Sequence, residues 1–207
     1  MNPVKEMLAG TTVIPVLAFT EVASTLRMIE RMIGAGLNVI ELTRRSDVAR
    51  ETLRAATAEF GDAAHIGMGT ILTPTQLAET IDDGADFGVS PGLTPALIDA
   101  IKASDLPFLP GTSTVAEAMV ANAAGFEVIK FFPAAQAGGP SYLKAMGAVL
   151  PDVAVCPTGG VSESNAADYL ALPNVICVGA SALSKPALAE PFDADGFKTL
   201  LSKFARP

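Results

Sequence analysis

Short apolar runs recur along the chain at 12–19, 38–43, 65–69, 87–90, 107–110, 128–132, 153–158 and 175–179. Each has the length of a strand buried on both faces. Helix-like stretches separate them. The segment 20–35 opens on Thr20 as a capping residue and spaces Val22, Leu26, Ile29 and Ile33 along one face. Thr73-Pro74 opens another helix, with Leu77 and Ile81 on its apolar face and Gly84 as its stop, and Thr94-Pro95 opens a third through Leu97, Ile98 and Ile101. The stretch 114–124 ends at Gly125, and 162–172 ends at Pro173. Pro3 after Asn2 opens a short N-terminal helix.

Counted out, this gives eight strands and about eight helices at a spacing of roughly 20–27 residues. Alternating β and α elements predict a parallel sheet, and eight units in 207 residues fit the small end of the (β/α)8 TIM barrel range. No Pro/Gly/Ser tract divides the chain, so 1–207 reads as one domain. Glycines and small polar residues gather where strands end: Gly67-Met68-Gly69-Thr70, Ser90-Pro91-Gly92, Pro110-Gly111-Thr112-Ser113, Pro157-Thr158-Gly159-Gly160 and Gly179-Ala180-Ser181. Turn chemistry and capping account for about half of these residues. The rest fit βα loops, from which barrel active sites are built.

Composition narrows the partners. The net charge is −8, Trp is absent and there are two Tyr, which argues against nucleic acid and anionic membrane surfaces. No stretch of 18 or more apolar residues runs uninterrupted, and the first residues lack the basic and apolar regions of a signal peptide. Cys156 and Cys177 lie in apolar runs and read as buried free thiols of a cytoplasmic protein rather than a disulfide. An anionic small substrate would need local positive sites that oppose the global field.

Lys130, inside Val128-Ile129-Lys130-Phe131-Phe132-Pro133, is the candidate for chemistry. Burying a charged ammonium among such residues is costly, which favours the neutral amine. A neutral amine attacks carbonyls and forms a Schiff base. The bland alternative is a lysine that snorkels from an edge strand. Strand parity then groups Val39, Glu41 and Thr43 on one face, Val128, Lys130 and Phe132 on another, and Cys156 with Thr158 on a third. If those faces point inward, Glu41, Lys130 and Thr158 share one mouth. Glu41 beside Lys130 is either a structural ion pair or a proton shuttle. A carboxylate alone would hold the lysine charged, so a nearby cation, Arg45, is expected to oppose it. Of Arg44 and Arg45, one is expected to be a solvated surface arginine and the other to fork onto a substrate carboxylate. Backbone N–H groups at Thr158-Gly159-Gly160 and Gly179-Ala180-Ser181, with a following helix N-terminus, suit a phosphate.

With these residues in view, the chain resembles the 2-keto-3-deoxy-6-phosphogluconate (KDPG) / 4-hydroxy-2-oxoglutarate aldolase family, which are class I aldolases. The matching motifs are Val13-Ile14-Pro15-Val16, Ile40-Glu41-Leu42-Thr43 with Arg45, Gly67-Met68-Gly69-Thr70, Val89-Ser90-Pro91-Gly92, Pro110-Gly111-Thr112-Ser113-Thr114, Lys130-Phe131-Phe132-Pro133-Ala134, Cys156-Pro157-Thr158-Gly159-Gly160 and Gly179-Ala180-Ser181. The resemblance implies a Schiff-base lysine at Lys130 and a general acid/base at Glu41. It implies that Arg45 and Thr70 hold the substrate carboxylate, that Pro91 and Phe132 line the pocket, and that Thr158 lies near the reacting carbons. Gly159, Gly160 and Ser181 would hold the phosphate. It further implies pyruvate as a product, a cytoplasmic homotrimer of the Entner–Doudoroff pathway, and no metal or other cofactor. The family often has Glu where Ala135 stands, Leu at Arg44 and Gly at Ala180. These departures bear on substrate preference and phosphate-loop geometry.

Three alternatives remain open at this level. One is an aldolase for the galactonate epimer. Another is a phosphate-binding barrel of other chemistry, such as an isomerase, which would not need Lys130. The third is a non-catalytic sugar-phosphate-binding barrel. A metal-dependent aldolase is disfavoured, because His65 is the one histidine.

Overall fold

The computed structural model describes residues 2–207. Its strands are β1 (Val13–Leu17), β2 (Val39–Thr43), β3 (His65–Gly69), β4 (Phe87–Val89), β5 (Phe108–Leu109), β6 (Gly111–Thr112), β7 (Val128–Phe131), β8 (Ala154–Pro157) and β9 (Val178–Ala180). All pair in parallel, in the orders β5-β4-β3-β2-β1-β9 and β6-β7-β8. Phe108–Thr112 is one barrel stave. Pro110 has no N–H for the ladder and divides it into β5 and β6. Bridges Val155↔Val175 and Thr158↔Gly179 join β8 to the β9 segment. The ring is therefore closed, a TIM barrel of eight staves, as the alternation predicts.

The helices are α1 (Pro3–Met7), α2 (Val22–Gly34), α3 (Ala49–Phe60), α4 (Pro74–Asp82), α5 (Pro95–Lys102), α6 (Val115–Ala123), α7 (Gly139–Val149), α8 (Ala166–Leu170), α9 (Ser184–Leu188) and α10 (Ala194–Leu201). Caps fix their starts. Thr73, Thr94 and Thr114 accept from the backbone three residues on, and Glu117 completes a capping box at α6. Two expected starts differ. Glu21, not Thr20, caps α2, because its carboxylate reaches the N–H groups of Ala23 and Ser24. The helix after β8 begins at Ala166, not at residue 162. Asn165 Oδ1 takes the Ser162 N–H and holds the intervening residues in a turn. None of the helices in the described residues is long and apolar enough to cross a membrane.

Two apolar layers follow from strand parity. Ile40, Leu42, Ile129, Phe131 and Val155 pack outward against the helices. Val39, Phe87, Val89, Leu109, Val128, Cys156 and Cys177 pack inward, and Val4 and Met7 of α1, with Leu8 just after it, close that inner layer. The two cysteines are buried and unbridged. A hydrogen bond with Cys156, together with burial, pushes the Cys177 thiol well above its ordinary range, so it stays protonated.

A charge network ties α3 to α4. Asp83, 4% exposed, accepts from Arg50 Nη2 at 3.0 Å and from Arg54 Nε at 2.7 Å. Burial alone would raise its carboxyl; the hydrogen bonds from Arg50 and Arg54 outweigh it and hold the group below the usual carboxylate value. The folded chain therefore binds this proton less readily than the unfolded chain does. Its stabilisation is complete above the unfolded value and is lost as pH falls through the depressed one. Asp83→Asn should cost about 1.5–3 kcal/mol at neutral pH. It should also flatten the acid limb of a urea-melt stability profile, and an unchanged acid limb would show that Asp83 is not its source.

Candidate active site

Strands β2 and β7 lie apart in the ring, yet their inward side chains meet at its C-terminal mouth. Lys130 Nζ stands 3.1 Å from Glu41 Oε1 and 3.4 Å from Oε2. The two side chains are 8% and 5% exposed. Edge-strand snorkelling is excluded, since Lys130 sits inside the barrel on a strand paired on both sides. The Phe132 ring centroid lies 5.6 Å from the ammonium, a cation–π distance. The Lys130 backbone is held as well: its N–H donates to Pro110 O at 2.9 Å, and Thr112 Oγ1 donates to its carbonyl at 3.3 Å.

Space for this pair comes from residues that the sequence marks only as turn-formers. A Cβ on Gly69 of β3 would stand 2.0 Å from Glu41 Oε1. A Cβ on Gly179 would stand 2.2 Å from Thr158 Oγ1, and one on Gly111 would stand 2.2 Å from the Pro91 carbonyl carbon. Ser90 Oγ accepts from Gly111 N–H at 3.2 Å, which draws the Pro91 loop onto the residue that is the register partner of Lys130. Gly69, Gly179, Gly111 and Ser90 thus shape the site without presenting a reactive group. The βα-loop position of these glycines was their one signal in the sequence.

On the β2–β3 side, Arg45 is exposed and its Nε lies 3.4 Å from Thr70 Oγ1. Thr70 has φ 66°, a left-handed conformation rare for a β-branched residue. Its neighbours hold it there: Arg44 N–H donates to Gly69 O at 2.9 Å, and Ile71 N–H donates to Val89 O at 3.1 Å. Arg45 pairs with Thr70 and makes no ion pair with Glu41 among the described residues, so any effect it has on Lys130 acts across space and not through that carboxylate. Arg44 is ion-paired with Glu79 of α4, and Glu79 also lies 3.3 Å from Arg50 Nη1.

On the opposite side, Thr158 is buried, with Oγ1 3.9 Å from Cys156 Sγ. Gly159 and Gly160 follow with φ of 96° and 76°, and Ser181 is exposed at the first position after β9. Since α8 starts only at Ala166 and spans five residues, its N-terminus does not adjoin Gly160 as the sequence suggested. Ala180 packs into the outer core, so its methyl faces the helices and not the mouth. Among the described residues, no three His, Cys, Asp or Glu side chains gather as a metal site.

Fold and site together give a TIM barrel with an amine and a carboxylate in contact at its mouth. The family model for KDPG and KHG aldolase matches residues 4–199. A KHG/KDPG aldolase from Escherichia coli K12 is 38% identical over 191 residues, covering 92% of this chain and 89% of that protein. Two solved structures are also similar. A Legionella pneumophila KDPG aldolase, with pyruvate captured as a covalent carbinolamine, has a TM-score of 0.87, 37% identity and coverage of 99% and 97% of the two chains. The Zymomonas mobilis ZM4 KDPG aldolase with 3-phosphoglycerate has a TM-score of 0.90, 33% identity and coverage of 100% and 98%. The chain belongs to the KDPG and KHG aldolase family.

Gly69 offers a test of the geometry. Gly69→Ala places a methyl where Glu41 Oε1 lies, so the carboxylate must leave its present contact with Lys130. The variant should keep its fold by circular dichroism while kcat falls by at least about tenfold, since a displacement of about 1 Å is costly at a reacting centre. Unchanged kcat would mean that the position of Glu41 does not matter to turnover.

Proposed function

We propose that this protein is a class I aldolase that cleaves 2-keto-3-deoxy-6-phosphogluconate to pyruvate and glyceraldehyde 3-phosphate, and 4-hydroxy-2-oxoglutarate to pyruvate and glyoxylate. The contact between Lys130 and Glu41 carries the proposal. Lys130, once neutral, attacks the C2 carbonyl and gives a carbinolamine, which loses water to form an imine. Glu41 accepts the proton of the C4 hydroxyl as the C3–C4 bond breaks, and the bonding pair moves into the imine to give an enamine. The aldehyde leaves, the enamine takes a proton at C3, and hydrolysis frees pyruvate and the amine. Each proton that Glu41 takes up is returned within the cycle, so no other reagent is consumed.

Arg45 and Thr70 hold the 2-keto acid carboxylate, and Pro91, Phe132 and Thr158 line the space between the two ends. Gly159, Gly160 and Ser181 take the phosphate through backbone N–H groups. Support for this arrangement comes from the pairing of Arg45 with Thr70 and from the left-handed turn at Gly159-Gly160. The relatives support the reaction, through bound pyruvate in one and 3-phosphoglycerate in another. Family membership also favours a single barrel domain over 1–207, and a cytoplasmic homotrimer serving the Entner–Doudoroff pathway. Met119 and Val120, 56% and 55% exposed on α6, offer apolar surface of the kind a subunit contact covers.

Pyruvate with borohydride should place a reduced adduct on Lys130 and leave the exposed Lys144 untouched, as read by peptide mass spectrometry. An adduct on Lys144, or none, would contradict the covalent mechanism and favour a binding barrel. Lys130→Arg should abolish turnover, because a guanidinium stays protonated. Glu41→Gln should lower kcat by roughly 10²–10⁴ with the fold retained. If instead Glu41→Gln unfolds the protein while each folded molecule turns over normally, the pair is structural.

The phosphate end is tested separately. A Cβ at Gly160 would stand 2.5 Å from Ala135 Cβ, on a backbone that side chains rarely adopt. Gly160→Val should weaken kcat/KM for the phosphorylated substrate far more than for 4-hydroxy-2-oxoglutarate. Arg45→Ala should weaken both. Equal losses on the two substrates for Gly160→Val would move the phosphate elsewhere.

A further inference from the structure

Three consecutive carbonyls in the turn after β8 are all taken by protein donors. Thr158 O accepts from Ala134 N–H at 2.8 Å, and Gly159 O accepts from Ala135 N–H at 3.0 Å. Gly160 O accepts from Asn165 Nδ2 at 2.9 Å. In a trans peptide the carbonyl and the next residue's N–H point in opposite directions. Fixing these carbonyls therefore turns the N–H groups of Gly159, Gly160 and Val161 away from the groups that hold them. Among the described residues, the Gly160 and Val161 N–H groups meet no protein acceptor. Two of the three holds are main chain to main chain and do not depend on side-chain identity. The third depends on Asn165 alone.

Asn165 is suited to that task by its two unlike ends. Its Oδ1 accepts from Ser162 N–H at 2.9 Å while its Nδ2 donates to Gly160 O. One carboxamide thus spans the turn from Gly160 to Ser162, which needs an acceptor and a donor on the same short side chain. Aspartate would keep the acceptor and lose the donor. It would also set a negative charge beside a site meant for an anion. The helix that follows has five residues and begins beyond Asn165, so the Gly160 carbonyl is held by that side chain and not by the helix.

We infer that Asn165 is a positioning residue for the phosphate end of the substrate. It holds the Gly160–Val161 peptide with its N–H presented outward and does not touch the substrate itself. The inference rests on the reading that this turn receives the phosphate. It separates Asn165 from an ordinary turn-former, whose loss would disturb both ends of the site alike.

The test compares a phosphorylated and a phosphate-free ligand in the full-length protein. KM and kcat are measured with 2-keto-3-deoxy-6-phosphogluconate. The half-saturating pyruvate concentration is measured by borohydride trapping on Lys130, which also reports that a variant is folded. Asn165→Ala should raise KM about tenfold, the loss expected for a hydrogen bond that organises a charged ligand, with pyruvate half-saturation unchanged. Asn165→Asp should raise KM at least as far and serves as the isosteric variant should the alanine protein fail to fold. An equal shift in both readouts, or none in either, overturns the inference. Gly160→Val in the same assays separates the two levels. If it is selective for the phosphorylated substrate and Asn165→Ala is not, the turn holds phosphate without help from Asn165. If neither is selective, the phosphate reading fails and the role of Asn165 fails with it.

Discussion

An ammonium and a carboxylate leave water only at high cost, and the upper interior of this barrel is arranged around that constraint. Lys130 and Glu41 are both nearly inaccessible and within 3.1 Å of one another. Each makes the other's burial bearable, since removing one partner of a buried pair typically costs about 3–5 kcal/mol. Well-packed apolar residues of similar volume would serve stability as well or better. The lower interior has such packing, with Val39, Phe87, Val89, Leu109 and Val128 closed off by α1. The pair therefore has no structural advantage over its surroundings, and its chemistry is the better reason for its presence.

The glycines make that pair possible. Gly69 leaves the space that the Glu41 carboxylate occupies, and Gly179 leaves the space for the Thr158 hydroxyl. Gly111 lets the Pro91 loop approach the stave next to Lys130 more closely than any side chain would allow. A barrel of this size fills its interior with side chains. A substrate cavity has to be made by subtraction, and glycine at the upper end of a stave is the available means. The same logic explains why the charged groups sit on β2 and β7 while small residues end the staves between and beside them.

Much of this was legible before any coordinates. The alternation of buried runs and capped helices pointed to a parallel sheet, because parallel strands covered on both faces leave apolar runs with abrupt polar ends, and the count of eight units pointed to its closure into a barrel. Parity grouped Glu41 with Val39 and Thr43, and Lys130 with Val128 and Phe132, since a strand repeats every two residues whatever surrounds it; that these faces point inward came from the closed ring. What escaped the sequence depends on three-dimensional neighbours. Glu21 displaced Thr20 as the α2 cap because its longer side chain reaches two N–H groups. Arg44 found Glu79 across a loop, a pairing that spacing along the chain does not reveal. The stave Phe108–Thr112 runs on past Pro110 into Gly111-Thr112, residues that read as a loop because glycine and small polar side chains carry no strand signal. The late start of α8 followed from one side-chain hydrogen bond, that of Asn165 to Ser162.

On the proposed reading of the site, the two ends of the mouth solve one electrostatic problem by different means. A chain of net charge −8 repels an anionic substrate at long range, so each anionic group needs a local counter-field. At the β2–β3 side the proposed counter-field is a guanidinium, Arg45, set beside the strained Thr70. At the β8–β9 side no cation stands in the turn or at Gly179-Ala180-Ser181, and the proposed donors are peptide N–H groups. A mobile cationic side chain brings a full charge but needs ordering when it binds. A peptide whose carbonyl is already anchored brings only a partial charge, yet loses little freedom in doing so. Preorganised main-chain donors can therefore match an arginine where the turn is held rigidly enough. At Gly160 that rigidity comes from a single carboxamide.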